Sequence, residues 1–162
     1  MTGLYLDASA ITKLVILEQE SAVLLHAVRG HNLFTSRIAV VEVGKAVARS
    51  SPGADPRTTL SKLGFVELDA DLAQIAGATG GTALRALDAI HVASALRLGP
   101  EIESFVTYAD RPADPAPSPG LTATSPKLGP AAAPAARGTG SHAGPFAPGS
   151  RRARLDPTRH AA

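Results

Sequence analysis

In the stretch LYLDASA, from Leu4 to Ala10, an apolar run ends and an aspartate follows it directly. Its first residues, with Leu4 and Leu6 on either side of a tyrosine, have the composition of a short buried strand. Asp7 follows at the point where this strand should stop, and an aspartate in such a place can simply be the N-cap of the next helix. A larger role for Asp7 depends on whether other acids occupy similar places further along the chain.

Predicted strands and helices alternate as far as residue 110. Apolar runs bounded by polar residues predict the strands, and apolar residues at helical spacing predict the helices between them. We expect strands over 3–7, 31–36, 65–69 and 104–110, and helices over 9–17, 21–28, 36–49, 58–63, 71–78 and 84–98. Ser36 and Asp71 are the predicted N-caps of two helices. Strands separated by helices predict a three-layer α/β/α sandwich with a mainly parallel central sheet.

Composition excludes several kinds of site and protein. The 162 residues contain no cysteine, which excludes disulfides, thiolate metal sites and cysteine nucleophiles and fits a reducing compartment. No apolar run approaches the roughly 18 to 20 residues of a membrane span. No basic region precedes an apolar one at the N-terminus, so no signal peptide is evident. We therefore expect a cytoplasmic protein that does not cross a membrane.

The composition changes near the C-terminus. Five prolines lie between residues 112 and 126, and proline at this density does not continue a helix. Residues 127–162 are mostly Ala, Gly, Pro and Arg, without the apolar pattern that a packed core requires. We predict a folded domain over 1–126, atypical and proline-rich from 111, and a disordered tail over 127–162.

Charge is distributed unevenly between these two parts. Residues 1–126 carry ten basic and thirteen acidic side chains, whereas residues 127–162 carry six basic and one acidic. The basic tail can attract RNA or DNA non-specifically. The simpler and preferred interpretation is an arginine-rich, disordered end without a role of its own.

Four acids stand out because they lie at strand ends or within apolar segments. Asp7 and Asp110 end predicted strands, Glu42 lies among three valines, and Asp88 lies between Leu87 and a following Ala-Ile pair. In a parallel sheet, ligands bind beyond the carboxyl ends of the strands. The four acids can therefore meet at one edge of the sheet.

Such acids can be neutralised in two ways. Taken singly, Glu42 can pair with Lys45 and Asp88 with Arg85, since each base lies three residues away on the same predicted helix. Taken together, four converging carboxylates repel one another, and a hard divalent cation removes that conflict. Ligation by oxygen alone favours Mg²⁺ or Mn²⁺ over zinc.

Four segments, in their order and spacing, point to one family. They are YLDASAITKL (5–14), TSRIAVVEVGKAV (35–47), ALDAIHVASAL (86–96) and FVTYADR (105–111). With all four in register, the chain closely resembles the PIN-domain ribonucleases, and most nearly the VapC-type toxins of bacterial toxin–antitoxin pairs. The resemblance covers residues 3–111, with a weaker echo of the family's last strand in GLTATSP (120–126). It implies a PIN-like sandwich and an Mg²⁺-dependent endoribonuclease.

The resemblance also implies roles for particular residues. The family's acidic positions fall on Asp7, Glu42, Asp88 and Asp110. We expect Asp7 and Asp88 to be the principal metal ligands, and Glu42 and Asp110 to bind through water or to hold a second ion. Ser9 matches a hydroxyl position near the metal, and Thr107 matches a small hydroxyl residue before the last acid.

Three other residues have two possible roles each. Arg37 and Arg85 can contact RNA phosphates or an antitoxin segment at the rim of the site, or can be ordinary surface residues. His91, one helical turn after Asp88, can bind metal or can be a core residue.

These residue types suit phosphodiester hydrolysis. The reaction needs an activated water, neutralisation of charge on the phosphate and stabilisation of the leaving oxygen, and one or two Mg²⁺ ions supply all three. The resemblance further implies a structured RNA substrate, a cognate VapB-type antitoxin and a homodimer.

Two departures from the family keep a second hypothesis open. Ala109 separates the VTY stretch from Asp110, whereas relatives usually have the acid directly after this stretch, and a one-residue offset can turn a side chain to the other face. Prolines also occupy the place of the family's next helix. The alternative is a catalytically decayed PIN-fold binding module that still binds an antitoxin or dimerises.

Overall fold

The computed structural model describes residues 2–108 and 122–127. Asp110, the proline-rich stretch before Thr122 and the predicted disordered tail from residue 128 lie outside these residues. The elements are β1 (Gly3–Leu6), α1 (Ala8–Val15), α2 (Ser21–Val28), β2 (Asn32–Ser36), α3 (Ala39–Ser50), α4 (Arg57–Leu60), β3 (Gly64–Val66), α5 (Ala70–Ala78), α6 (Ala86–Leu98), β4 (Ile102–Val106) and β5 (Ala123–Thr124). None of the described helices is both long and apolar enough to cross a membrane.

The five strands form one sheet in the order β3-β2-β1-β4-β5, and every neighbouring pair is parallel. The predicted mainly parallel sheet is therefore confirmed, and the described sheet is parallel throughout. From β1 the chain builds outward through β2 and β3, and it then returns to the other side of β1 with β4. This reversal creates a switch point between β1 and β4, where open α/β sheets commonly bind ligands.

Both faces of the sheet are covered, because alternate residues of β1 point into different cores. Leu4 and Leu6 pack with apolar residues of α1, α2, α3 and α4 on one face. Tyr5 packs on the other face with Phe105 of β4 and Ala95 of α6. Helix α5 packs against α6 on that second face. The three-layer α/β/α sandwich is thus confirmed.

Phe34 of β2 fits between two glycines on the neighbouring strands. A Cβ atom at Gly3 of β1 would lie 2.8 Å from the Phe34 ring and 2.5 Å from the carbonyl oxygen of Glu101. A Cβ atom at Gly64 of β3 would lie 2.7 Å from the same ring. The ring occupies the space that side chains at these two positions would need.

The helix starts correct two predictions. Asp69, not Asp71, is the N-cap of α5, and its carboxylate accepts from the backbone N–H of Leu72 at 2.7 Å. Ser36 does not cap α3, which begins at Ala39 without a side-chain cap. Ser36 remains in β2 because its pairing with Val66 of β3 extends the ladder to this residue.

Residues 122–127, which include the outermost strand β5, are hydrogen-bonded to the residues at the end of β4. The backbone N–H of Thr107 donates to the Thr124 carbonyl at 3.1 Å, and the Ser125 hydroxyl donates to the Thr107 carbonyl at 2.5 Å. The Tyr108 hydroxyl donates to the Pro126 carbonyl at 2.6 Å. We call residues 122–127 the terminal latch.

Candidate active site

Three of the predicted acids lie where their elements meet the carboxyl edge of the sheet. Asp7 directly follows β1 and is the N-cap of α1. Glu42 is in the first turn of α3, which follows the end of β2. Asp88 is in the first turn of α6, and the far end of that helix leads into the start of β4, so its beginning is at the carboxyl edge. The fourth predicted acid, Asp110, lies outside the described residues.

Asp7 is held by hydrogen bonds on both carboxylate oxygens. Its Oδ1 accepts from the Ser9 hydroxyl at 2.6 Å and from the Ala10 backbone N–H at 2.9 Å. Its Oδ2 accepts from the Thr107 hydroxyl at 2.6 Å. The backbone N–H of Tyr108 donates in turn to the Ser9 oxygen at 2.7 Å. The ends of β1 and β4 are thereby joined through the side chain of Asp7.

Asp88 lies in the electrostatic field of the other two acids. The residue is exposed, but the atoms around its carboxyl group remove some of its water, and this desolvation is the main cause of a raised pKa. The negative charges of Asp7 and Glu42 raise the pKa of Asp88 further, while His91 and Arg85 act in the opposite direction. Acids from two other elements are therefore close enough to act on Asp88.

Glu42 pairs with a histidine and not with the lysine on its own helix. Its Oε2 lies 2.7 Å from Nε2 of His91, and the His91 side chain is 3% exposed. The other ring nitrogen, Nδ1, lies 2.8 Å from the Tyr5 hydroxyl. Burial raises the pKa of Tyr5, so this hydroxyl keeps its proton. The proposed pairing of Glu42 with Lys45 is not observed, and Lys45 is exposed.

The two arginines of the predicted rim have different surroundings. Arg37 donates from Nε to both carboxylate oxygens of Glu67, at 3.0 and 3.1 Å, and its Nη2 also contacts Oε1. Its guanidinium also lies 4.0 Å from the centre of the Phe65 ring. Arg85 immediately precedes α6, is exposed, and influences Asp88 through charge without a close ion pair in the described structure.

The side chains at this edge suit a metal ion because of the ligand atoms that they offer. Asp7, Glu42 and Asp88 offer carboxylate oxygens alone, and within residues 2–108 and 122–127 no Lys or Arg forms an ion pair with any of them. Hard divalent cations prefer such oxygen ligands. The same residues contain no group of three or more acids or histidines close enough to form a finished metal site. A cation bound here would therefore use fewer protein ligands, or draw the side chains inward.

Two features of this edge were not anticipated from the sequence. The pairing of His91 with Glu42 joins residues 49 positions apart, and the sequence signal was a polar residue in an apolar helix one turn after an acid. Ser36 is fully buried at the end of β2, and its Oγ makes no hydrogen bond with any described residue.

Comparison with known proteins gives consistent matches. A family model described as PIN domain matches residues 4–109. Ribonuclease VapC46 of Mycobacterium tuberculosis is 36% identical over 129 residues, covering 78% of this chain and 99% of that protein. Ribonuclease VapC47 of the same species is 36% identical over 116 residues, covering 67% of this chain and 85% of that protein.

A solved structure has the same fold. The crystal structure of VapBC2 from Rickettsia felis, bound to a DNA fragment from their promoter, aligns with a TM-score of 0.53. The alignment covers 75% of this chain and 97% of that chain at 14% identity. At this level of identity the likeness concerns the fold alone.

Proposed function

The chain belongs to the PIN-domain family and, within it, to the VapC ribonucleases, and from this premise we propose that it is an Mg²⁺-dependent endoribonuclease toxin of a toxin–antitoxin pair. The resemblance drawn from four sequence segments is thereby confirmed. Nucleases of this family generally depend on a divalent metal ion. Mg²⁺ is the ion proposed here, with Mn²⁺ as a substitute, because the acids offer only oxygen ligands.

One observation carries this proposal. Asp7, Glu42 and Asp88 come from three elements, and none of them has a Lys or Arg ion-pair partner in the described structure. Desolvation raises the pKa of Asp88, and the charges of Asp7 and Glu42 raise it further. The hydrogen bonds to Asp7 come from neutral donors, and His91 is the only base among the described residues in contact with Glu42. The net negative charge that this leaves beside the β1–β4 switch point suits a site that receives a cation with its substrate.

In the proposed mechanism, the residues of this chain have three roles: they bind the ion, orient its ligands and accept a proton. Asp7 and Asp88 would hold the ion, while Ser9 and Thr107 fix the orientation of Asp7 through its two oxygens. When bound, the ion supplies activation of water and neutralisation of charge on the phosphate. Glu42 would bind the ion through a water molecule and would accept the proton of that water at Oε1, the oxygen without a hydrogen bond to any described residue. Asp110 is proposed as a further acid of the site.

Partners follow from the same premise. We propose an RNA substrate and a VapB-type antitoxin, and the likeness to the fold of VapBC2 supports the latter. A cytoplasmic location is proposed because RNA and antitoxin are both made there. Self-association into a homodimer is supported by exposed apolar side chains, including Leu17, Leu25 and Val41. Arg85, which is exposed near Asp88, is proposed to contact RNA phosphates or an antitoxin segment. Arg37 is proposed to make the same kind of contact while it remains paired with Glu67.

A decayed binding module is the second candidate. The observation in its favour is that no three ligating side chains among residues 2–108 and 122–127 form a finished metal site. This candidate predicts antitoxin binding without RNA cleavage at any Mg²⁺ concentration.

RNA cleavage by matched variants distinguishes these candidates. The purified full chain is incubated with total RNA in Mg²⁺ or in EDTA, and new RNA ends are sequenced. Asp7→Asn and Asp88→Asn should abolish the cuts made by the wild type. Asp71→Asn should not, because Asp71 is likewise in the first turn of a helix but lies away from the site, in α5. Identical cutting by all four proteins, or by the wild type in EDTA, would refute the proposed nuclease.

A further inference from the structure

His91 connects two polar groups from other elements inside the second layer of helices. It lies on α6 and is 2% exposed. Its ring reaches Glu42 of α3 through Nε2 at 2.7 Å and Tyr5 of β1 through Nδ1 at 2.8 Å. One imidazole therefore links α6, α3 and the central strand of the sheet.

The directions of these hydrogen bonds follow from their partners. An ionised carboxylate only accepts, so the hydrogen in the contact with Glu42 is on Nε2. In the neutral ring Nδ1 then accepts from the Tyr5 hydroxyl, and in the protonated ring Nδ1 donates to the Tyr5 oxygen; in both forms Glu42 accepts from Nε2. The hydroxyl of Ser94, one turn after His91, donates to the Ile90 carbonyl at 2.7 Å, and the Thr35 hydroxyl donates to the Leu6 carbonyl at 2.7 Å. The hydroxyls of Ser94 and Thr35 both lie near the Tyr5 hydroxyl. Because each already donates its hydrogen to a carbonyl oxygen, neither donates to Tyr5.

The ring orientation is fixed by packing as well as by hydrogen bonds. Tyr5 is fully buried, meets the His91 ring edge to face with centroids 5.9 Å apart, and stacks on Phe105 at 5.2 Å. A ring held at both nitrogens and at its face cannot turn away from Glu42 without breaking these contacts. The Glu42 side chain is 22% exposed, so its far oxygen can reach solvent.

We infer that His91 is a positioning residue, which binds Oε2 of Glu42 and so directs Oε1 toward the edge shared with Asp7 and Asp88. The inference rests on the proposed function, since it assigns Glu42 a role toward the metal ion and its water. Without His91, Glu42 would have no hydrogen-bond partner among the described residues and would sample other rotamers. Partners of this kind typically change metal affinity or activity by about 10- to 100-fold when they are removed.

Two substitutions at position 91 separate positioning from general packing. In His91→Gln the terminal amide can occupy the place of Nε2 and still donate to Glu42. In His91→Asn the shorter amide reaches only the place of Nδ1, so the contact with Tyr5 is kept and the contact with Glu42 is lost. Thermal unfolding in EDTA records how much each variant loses in stability alone.

The measurement is Mg²⁺ affinity of the full chain by calorimetry, combined with RNA cleavage rates. We expect His91→Asn to weaken Mg²⁺ binding by about 10-fold or more, and His91→Gln to stay close to the wild type. In a Glu42→Gln background, His91→Asn should have no further effect, since coupled residues are not additive. If His91→Asn does not fold, Tyr5→Phe provides the test, with a smaller loss of Mg²⁺ affinity in the same direction.

The outcomes keep this inference distinct from the proposed function. Wild-type Mg²⁺ affinity in a folded His91→Asn or Tyr5→Phe variant would overturn the inference alone. So would independent, additive effects of His91→Asn and Glu42→Gln. A wild-type chain that binds no Mg²⁺, or binds it no better than Asp88→Asn does, would overturn the proposed function and the inference together.

Discussion

The hydroxyl of Thr107 donates to Oδ2 of Asp7 over 2.6 Å, although the two residues are 100 positions apart in the chain. They follow β4 and β1, the two strands between which the order of the sheet reverses. The switch point is therefore closed by a hydrogen bond to an ionisable acid. Hydrogen bonds to charged groups are among the stronger ones in proteins.

Replacing Thr107 should loosen Asp7 without removing it. Thr107→Val keeps the shape of the side chain but cannot donate to Oδ2, and we expect RNA cleavage to fall by about 10- to 100-fold. Thr107→Ser keeps the hydroxyl and should cleave RNA at nearly the wild-type rate. Cleavage rates at saturating Mg²⁺ measure both, and equal rates for the Val and Ser variants would contradict the role of this bond.

Asp88→Asn should stabilise the metal-free protein. Desolvation and the acids Asp7 and Glu42 raise the pKa of Asp88 in the folded state, so its ionisation opposes folding. For a raised carboxyl pKa, the relative stability is highest below the unfolded pKa and is lost as the pH rises through the folded pKa. In EDTA, at pH values above the range in which Asp88 ionises, Asp88→Asn should therefore melt at a higher temperature than the wild type.

When Mg²⁺ is added, the wild type should melt at a higher temperature than Asp88→Asn. A ligand that binds only the folded state raises its melting temperature. The wild type should gain stability with increasing Mg²⁺, whereas Asp88→Asn should gain little. A Tm for Asp88→Asn below that of the wild type in EDTA would show that Asp88 is a stabilising residue instead.

The ion pair between Asp69 and Arg97 should make part of the protein's stability sensitive to acid. The Arg97 guanidinium, followed by the Leu72 N–H, lowers the pKa of this carboxyl from 3.8 to about 2. A lowered carboxyl pKa contributes stability above the unfolded pKa, and this contribution is lost as the pH falls from about 4 to about 2. Asp69→Asn keeps a residue that can cap α5 but loses the charge.

Denaturant unfolding at a series of pH values measures this effect. The wild type should be more stable than Asp69→Asn above pH 4, and the difference should shrink toward pH 2. Arg97→Gln should produce the same flattening, and the double variant should add little to either. A difference that stays constant across the acid range would exclude the ion pair as its source.

Two Gly→Ala substitutions should have opposite effects on stability. At Gly3 the new Cβ would lie 2.5 Å from the Glu101 carbonyl oxygen and 2.8 Å from the Phe34 ring, so Gly3→Ala should destabilise the sheet. At Gly77, inside α5, a new Cβ would meet no heavy atom within 4 Å apart from its chain neighbours and the backbone of its own helix. Gly77→Ala should stabilise the protein by about 0.5 to 1 kcal/mol, since alanine restricts the unfolded chain and suits a helix. Free energies of unfolding from urea titrations test both signs.

The fold was predictable because its signals are local. Apolar runs ending in polar residues predicted the strands, and helical spacing predicted the helices between them, with the ends displaced by a few residues. The long segment around Asp88 was expected to be a helix from residue 84, and α6 begins at Ala86. Local capping choices were less predictable, since Asp69 and Asp71 are both acids at the start of the same helix.

The details of the site depended on packing across the sheet. That Glu42 meets His91, and not Lys45, results from the way α3 and α6 lie against the sheet, which no spacing along the chain encodes. Arg37 pairs with Glu67 because β2 and β3 are neighbours, a contact between residues 30 positions apart. Position in the sequence led to the grouping of Asp7, Glu42 and Asp88, and the structure places all three at the carboxyl edge of the sheet. The partners of each acid follow from the three-dimensional arrangement.

The terminal latch has a consequence for the timing of synthesis. Asp7, Glu42 and Asp88 leave the ribosome before residues 122–127, yet the hydroxyl that fixes Asp7 comes from Thr107, whose own backbone is bound by Thr124 and Ser125. A nascent chain that has exposed all three acids therefore still lacks the strand that completes their support. The chain should therefore become able to cleave RNA only late in translation. A neutralising partner would have an interval in which to bind the nascent chain before that point.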